Sequence, residues 1–91
     1  MSTQVMPKQA EGFQSEELDG EYLIFRLGMH RAIHLNQTAG IVWRLCDGTR
    51  SAGEISQLLA TEYPADSAQD ISRDVSEIIG RLTEIGVLHP A

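Results

Sequence analysis

The sequence predicts an α+β fold in one domain over residues 12–91: a three-stranded antiparallel sheet followed by a three-helix bundle. Three observations carry that prediction. Leu18-Asp19-Gly20-Glu21 sets Asp-Gly between two short strand-forming segments, and this dipeptide accepts the positive φ that a tight hairpin turn needs at both central positions. The stretch from Asn36 to Gly48 reads as a helix cap, an amphipathic helix and a helix stop. Ile71, Val75, Ile78, Leu82 and Ile85 fall within about 80° of arc at helical spacing, which marks a long helix with a tight apolar face.

Taken in order, residues 1 to about 11 are polar, contain Pro7 and lack periodicity, so a flexible arm is expected there. Phe13 to Leu18 makes the first strand. Tyr22 to Leu27 makes the second, with Leu23, Phe25 and Leu27 on one face and Tyr22, Ile24 and Arg26 on the other. Gly28-Met29-His30 reads as a turn. Arg31 to Leu35 follows as the third strand, with Ile33 and Leu35 expected on the Leu23 side. Asn36 sits where its side chain can accept a first-turn N–H. The first helix then runs over 37–46 on a stripe of Ala39, Val42, Trp43 and Cys46, and Gly48 stops it. Ser51 with Glu54 three positions on is a capping box for the second helix. Its stripe is Ile55, Leu58, Leu59 and Tyr63, and Pro64 forbids continuation. Asp66 or Ser67 caps the third helix, Gly86 ends it, and Val87-Leu88 is expected to lay a short extended piece onto the core.

Composition narrows the functional classes. Ninety-one residues with 42% hydrophobic and 22% charged content suit one folded domain. The net charge is -6 with only seven basic residues, scattered along the chain, which argues against a phosphate-backbone partner. The single cysteine excludes an internal disulfide. No window has the length or apolarity of a signal peptide or membrane span, so a cytoplasmic chain without membrane contact is expected.

Nothing in the chain reads as catalytic. His30, His34 and His89 lack the cysteine partners and spacing of a structural metal site. Cys46 lies on an apolar stripe beside Asp47, which opposes the thiolate a nucleophile needs. The glycines sit singly, so no phosphate loop exists. No enzyme activity, cofactor or metal is therefore expected. Strands beside short helices invite a winged-helix, DNA-binding alternative. Yet the third helix carries Asp70, Arg73, Asp74, Glu77, Arg81 and Glu84, a net acidic set unsuited to base edges and phosphates. What remains is an apolar shoulder at Ile79 and a short third strand without proline at a sheet edge. Together they form a plausible docking groove for an extended peptide. The alternatives are a plain interaction or dimerisation domain using that edge, monomeric or weakly dimeric, or an ordinary packed shoulder with no partner.

Leu18-Asp19-Gly20-Glu21, His34-Leu35-Asn36-Gln37-Thr38-Ala39 with Trp43, Leu45-Cys46-Asp47-Gly48-Thr49-Arg50-Ser51, Glu54-Ile55, Asp74-Val75 and Leu82-Thr83-Glu84-Ile85-Gly86-Val87-Leu88 together resemble the PqqD family. That family is named for the pyrroloquinoline-quinone (PQQ) biosynthesis protein D. The resemblance covers about residues 15 to 88. It implies a winged-helix-like fold and the role of a RiPP recognition element. Such an element is a peptide chaperone that binds the leader of a ribosomally made precursor and presents it to a modifying enzyme, a radical-SAM protein in the quinone pathway. The implied site is Arg31, Ala32, Ile33, His34 and Leu35 on the strand with Asp74, Val75, Ile78 and Ile79 on the third helix. The second and third strands lack the tryptophan-containing segment and the Ala-Pro-Glu-Arg-like turn of quinone-pathway members, a departure that leaves open service to another peptide pathway.

Overall fold

A computed structural model describes residues 6–28, 30–63 and 67–89 of the chain. The elements run β1 (Lys8–Gln9), β2 (Gln14–Leu18), β3 (Glu21–Phe25), β4 (Ile33–Leu35), α1 (Gln37–Leu45), α2 (Ala52–Glu62), α3 (Ala68–Ile85) and β5 (Leu88–His89). Strands β2, β3 and β4 form an antiparallel sheet in that order, and β1 pairs with β5 in a second, two-stranded one. The architecture is the expected α+β arrangement of a three-stranded sheet and three helices.

Local chemistry explains most boundaries. Asp19 and Gly20 take φ of 53° and 83°, the double positive φ of a tight hairpin that joins β2 to β3 without splaying them. The Asn36 side chain accepts the Ala39 N–H at 2.9 Å. Ser51 and Glu54 exchange both bonds of the capping box, at 3.2 and 3.0 Å. Ser67 caps α3 by accepting the Asp70 N–H, while Asp66 and Pro64 lie outside the described residues. Helix α1 ends at Leu45, three residues before Gly48, and Cys46 caps it, its N–H donating to the Val42 and Trp43 carbonyls.

The core gathers Tyr22, Ile24 and Leu35 from the sheet with Val42, Trp43, Cys46, Ile55, Leu59, Ile71, Val75, Leu82, Val87 and Leu88. Two stripe positions differ from expectation. Leu58 is 43% and Ile85 48% exposed, because both sit at the ends of arcs wider than the partner helix covers.

The sheet face is also reversed from expectation. Tyr22 and Ile24 face the helices, and Leu27 is fully exposed in the turn beyond β3. Register explains it: Tyr22 pairs with Leu35 and Ile24 with Ile33, whereas Leu23 pairs with His34 on the outer face. A strand apolar on both faces does not announce its parity, and a one-residue difference exchanges the faces. The strands are shorter than expected too. β3 ends at Phe25, and β4 begins at Ile33, leaving Arg31 and Ala32 exposed ahead of it. Of the expected 28–30 turn, Met29 lies outside the described residues.

The expected N-terminal arm differs from Met6 onward. Pro7 and Ala10 are buried, and Lys8–Gln9 pairs with Leu88–His89. The Gln9 N–H donates to the Cys46 carbonyl at 2.9 Å, and the Gln9 side-chain amide donates to the Trp43 carbonyl at 2.9 Å. The Ala10 N–H and the buried Trp43 indole N–H both donate to the Val87 carbonyl at 3.0 Å. This segment fills the hydrogen-bond needs of the α1 C-terminus and of the chain after α3. Its sequence shows no periodicity because two residues are too few to show one.

Candidate functional site

Strand β4 is the edge of its sheet. Among the described residues only β3 pairs with it, so its other side presents unpaired backbone donors and acceptors. The opposite edge, β2, is exposed at all five residues and carries Glu16 and Glu17 on alternate faces, the charged protection that discourages strand addition. β4 reads Ile33-His34-Leu35 and has neither acid, lysine, arginine nor proline.

Beside that edge lies a cleft of about 170 Å³, lined by Ile33, His34, Leu35, Asn36, Ala39, Ile78, Arg81, Leu82 and Ile85. Its floor is the buried pair Leu35 and Leu82. Ile33 and Ile78 are half-buried walls, and Ile85 and Arg81 form the exposed rim. His34 points to the outer face, where its Nε2 lies 3.3 Å from a Glu21 carboxylate oxygen. A larger cleft of about 400 Å³ lies between α1 and α2, lined by Ile41, Leu45, Leu58, Leu59, Thr61 and Glu62. Two helices wall it, and their backbones are bonded internally, so it offers side-chain surface, mostly apolar, but no free strand edge. The β4 cleft offers apolar surface and a hydrogen-bonding edge together.

The residues expected to form the site are therefore partly brought together. Ile33, His34, Leu35 and Ile78 line the cleft. Arg31 and Ala32 precede β4 and are exposed. Asp74 and Val75 line a neighbouring hollow of about 120 Å³ with Thr38, Leu59, Tyr63 and Ile71, and Val75 is fully buried core. Ile79 packs on the core without lining either hollow. At 100° per residue, measured from Ile71, Ile78 and Ile85 lie at about -20° and -40°, but Ile79 lies at about +80°, on the shoulder away from β4. The same wheel brings in Arg81 at about -80°, a residue that apolar periodicity alone does not select.

Burial, reinforced by the Asp47 carboxylate, pushes the Cys46 thiol up to about 12, so at neutral pH it is a protonated core side chain. Hydrogen bonds from Thr49 hold Asp47 below the usual carboxylate range, and Arg50 adds an ion pair at 2.9 Å. Among the described residues no group of three or more His, Cys, Asp or Glu could hold a metal ion. No described helix is long and apolar enough to cross a membrane.

Known proteins share this fold and sequence pattern. A solved structure of a lasso peptide synthetase B1 complexed with its leader peptide is 27% identical. It superposes with a TM-score of 0.74 over 93% of this chain and 99% of that one. The PqqD portion of Methylobacterium extorquens PqqCD, described as a stand-alone RiPP recognition element, is 25% identical. Its TM-score is 0.72 over 91% of this chain and 87% of that one. TbiB1 in complex with the TbiA(β) leader peptide, at 19% identity and TM-score 0.77 over 92% and 96%, shares the fold. The PqqA binding proteins of Xanthomonas oryzae pv. oryzae and Gluconobacter oxydans are 41% and 42% identical over 58 and 59 residues. These alignments span 64% and 65% of this chain but only 62% and 60% of the relatives' own lengths. The family description "Coenzyme PQQ synthesis protein D (PqqD)" matches residues 21–88, from the start of β3 into β5, and the chain belongs to the PqqD family.

Proposed function

We propose that this chain is a non-catalytic peptide-binding module. It takes the leader of a ribosomally synthesised precursor as an added strand on β4 and presents the rest of that precursor to a modifying enzyme, such as a radical-SAM protein. The observation that carries the reading is the coincidence of an uncharged free strand edge with an apolar cleft against α3. Backbone bonds along β4 give affinity that tolerates sequence, and alternate side chains of the ligand drop into the cleft. The leader-peptide complexes of similar structures and the PqqA-binding relatives support the same reading.

β4 is three residues long, so the ligand pairs over a short stretch and the interface stays below roughly 1,200 Å² in total. Affinity then rests on one or two anchors in the cleft rather than on area. The exposed surface of α3 bears Asp70, Asp74, Glu77 and Glu84 against Arg73 and Arg81, and Arg73 is already bonded to Asp70 at 2.7 Å. That surface repels a phosphate backbone. The module works in the cytoplasm, without cofactor, as a monomer or weak dimer whose β4 edge stays available to the peptide. Calorimetry against the precursor peptide encoded beside the gene tests the proposal: saturable heat at one-to-one stoichiometry supports it, and no heat at high protein concentration refutes it.

A further inference from the structure

Resting on the strand-addition reading above, we infer that the groove selects its ligand by charge order. An apolar residue sits in the β4–α3 cleft, a basic residue lies toward Asp74, and an acidic residue lies toward Arg81. Both groups are exposed on the β4-facing shoulder of α3, at about -60° and -80° from Ile71 on the helical wheel. Asp74 opens onto the hollow at the start of α1, and Arg81 lines the cleft beside Ile33, Leu35 and Ile85.

Their separation along the helix is about 10.5 Å, seven residues at 1.5 Å each. An extended ligand covers about 10 to 13 Å in three to four residues, so one short segment reaches both charges with an apolar residue between them. Four of the other five arginines are engaged: Arg50 with Asp47, Arg73 with Asp70, Arg26 over the Phe13 ring and Arg44 over the Tyr22 ring; the fifth, Arg31, stands exposed ahead of β4 rather than on α3. Among the described residues Arg81 and Asp74 have no ion-pair partner. Glu77 and Glu84, one turn either side of Arg81, lie about 40° and 60° further round the helix, away from the cleft.

Because the two charges differ in sign, a ligand running one way meets two attractions, and the same charges in reversed order meet two repulsions. Exposed pairs contribute weakly, roughly 0.2 to 1 kcal/mol each. Losing the two attractions alone therefore sets the discrimination between the two orders at about 2- to 30-fold, screened by salt, and the repulsions add to it.

The test is selection from a displayed library of random decapeptides against the wild-type chain and against the Asp74→Lys/Arg81→Glu double variant. Amide shifts then locate the enriched peptides on the protein. The expected result is one enriched charge order flanking an apolar residue for wild type, the inverse order for the variant, and shifts at Ile33 to Leu35 for both. Enriched peptides that shift Ile33 to Leu35 but show no charge order, or the same order for both proteins, overturn this inference alone. Enriched peptides that shift only other residues, or no enrichment at all, overturn the strand-addition reading and this inference with it.

Discussion

Gly40 of α1 lies flat against the Tyr22 ring of β3, so closely that a β-carbon at position 40 would sit inside the ring. That contact lets the sheet approach the helix at the point where β4 turns into α1, and it sets which face of β3 is inward. Gly40→Ala is therefore destabilising although alanine is the better helix former. The cost is about 1 to 3 kcal/mol of overpacking, read as a lowered urea midpoint. Tyr22→Leu in the same chain recovers part of it. Gly80 is the counter-case, with open space around its missing β-carbon. Gly80→Ala stabilises the chain by about 0.5 to 1 kcal/mol.

Much of this arrangement is legible in the residues. The Asp19-Gly20 turn and the Asn36 and Ser51 caps each follow from chemistry within five residues of sequence and stand where the sequence places them, and the α3 stripe does too except at Ile85, its exposed end. The inward face of β3 was not legible, because Tyr22 and Ile24 compete with Leu23 and Phe25 on equal apolar terms. A contact to Gly40, eighteen residues on, decides between them. The N-terminal strand escaped for a similar reason: Lys8 and Gln9 gain their order from Asp47, Cys46 and Leu88, all remote in sequence. At the site, the edge strand and Ile78 could be read directly. Ile79 is apolar but lies on the shoulder away from the sheet, which sequence alone does not show, and Arg81, being charged, does not stand out by apolar periodicity.

The two clefts are separable by mutation. Ile85 lines the β4 cleft and Leu58 the α1–α2 cleft, and both are about half exposed. Either can be made polar at little cost to folding, within about 0.5 kcal/mol for an open surface position. Ile85→Asp weakens precursor binding by about tenfold, equivalent to about 1.4 kcal/mol. Leu58→Asp leaves it unchanged. Calorimetry of both variants, with thermal unfolding as a control, checks this.

The Trp43 indole bond to Val87 joins α1 to the chain after α3 inside the core. Trp43→Phe removes the donor and leaves a small gap. The Val87 carbonyl keeps its bond from Ala10, so the loss is moderate, about 1 to 2 kcal/mol. Faster hydrogen exchange at Ala10 is expected to accompany it, since the Ala10 N–H bonds to the same Val87 carbonyl.

The Cys46 thiol produces an alkaline stability slope. Its pKa rises from an ordinary 9.0 to about 12 on folding. Below pH 9 the thiol is neutral in both states. Above it the unfolded chain ionises first, so stability falls as pH rises toward 12. Urea midpoints measured across that window fall more steeply for wild type than for Cys46→Ala, whose own cavity cost is independent of pH. Native protein also resists thiol-specific reagents that modify the urea-unfolded chain.

The central claim, that an extended peptide pairs with the free edge of β4, is tested most directly by amide hydrogen exchange with and without the precursor peptide. The account predicts slowed exchange confined to β4 and its flanks, at Ile33 to Leu35, with α2 and β2 unchanged. Protection that falls on β2 or on the α1–α2 cleft while β4 exchanges as before would contradict it.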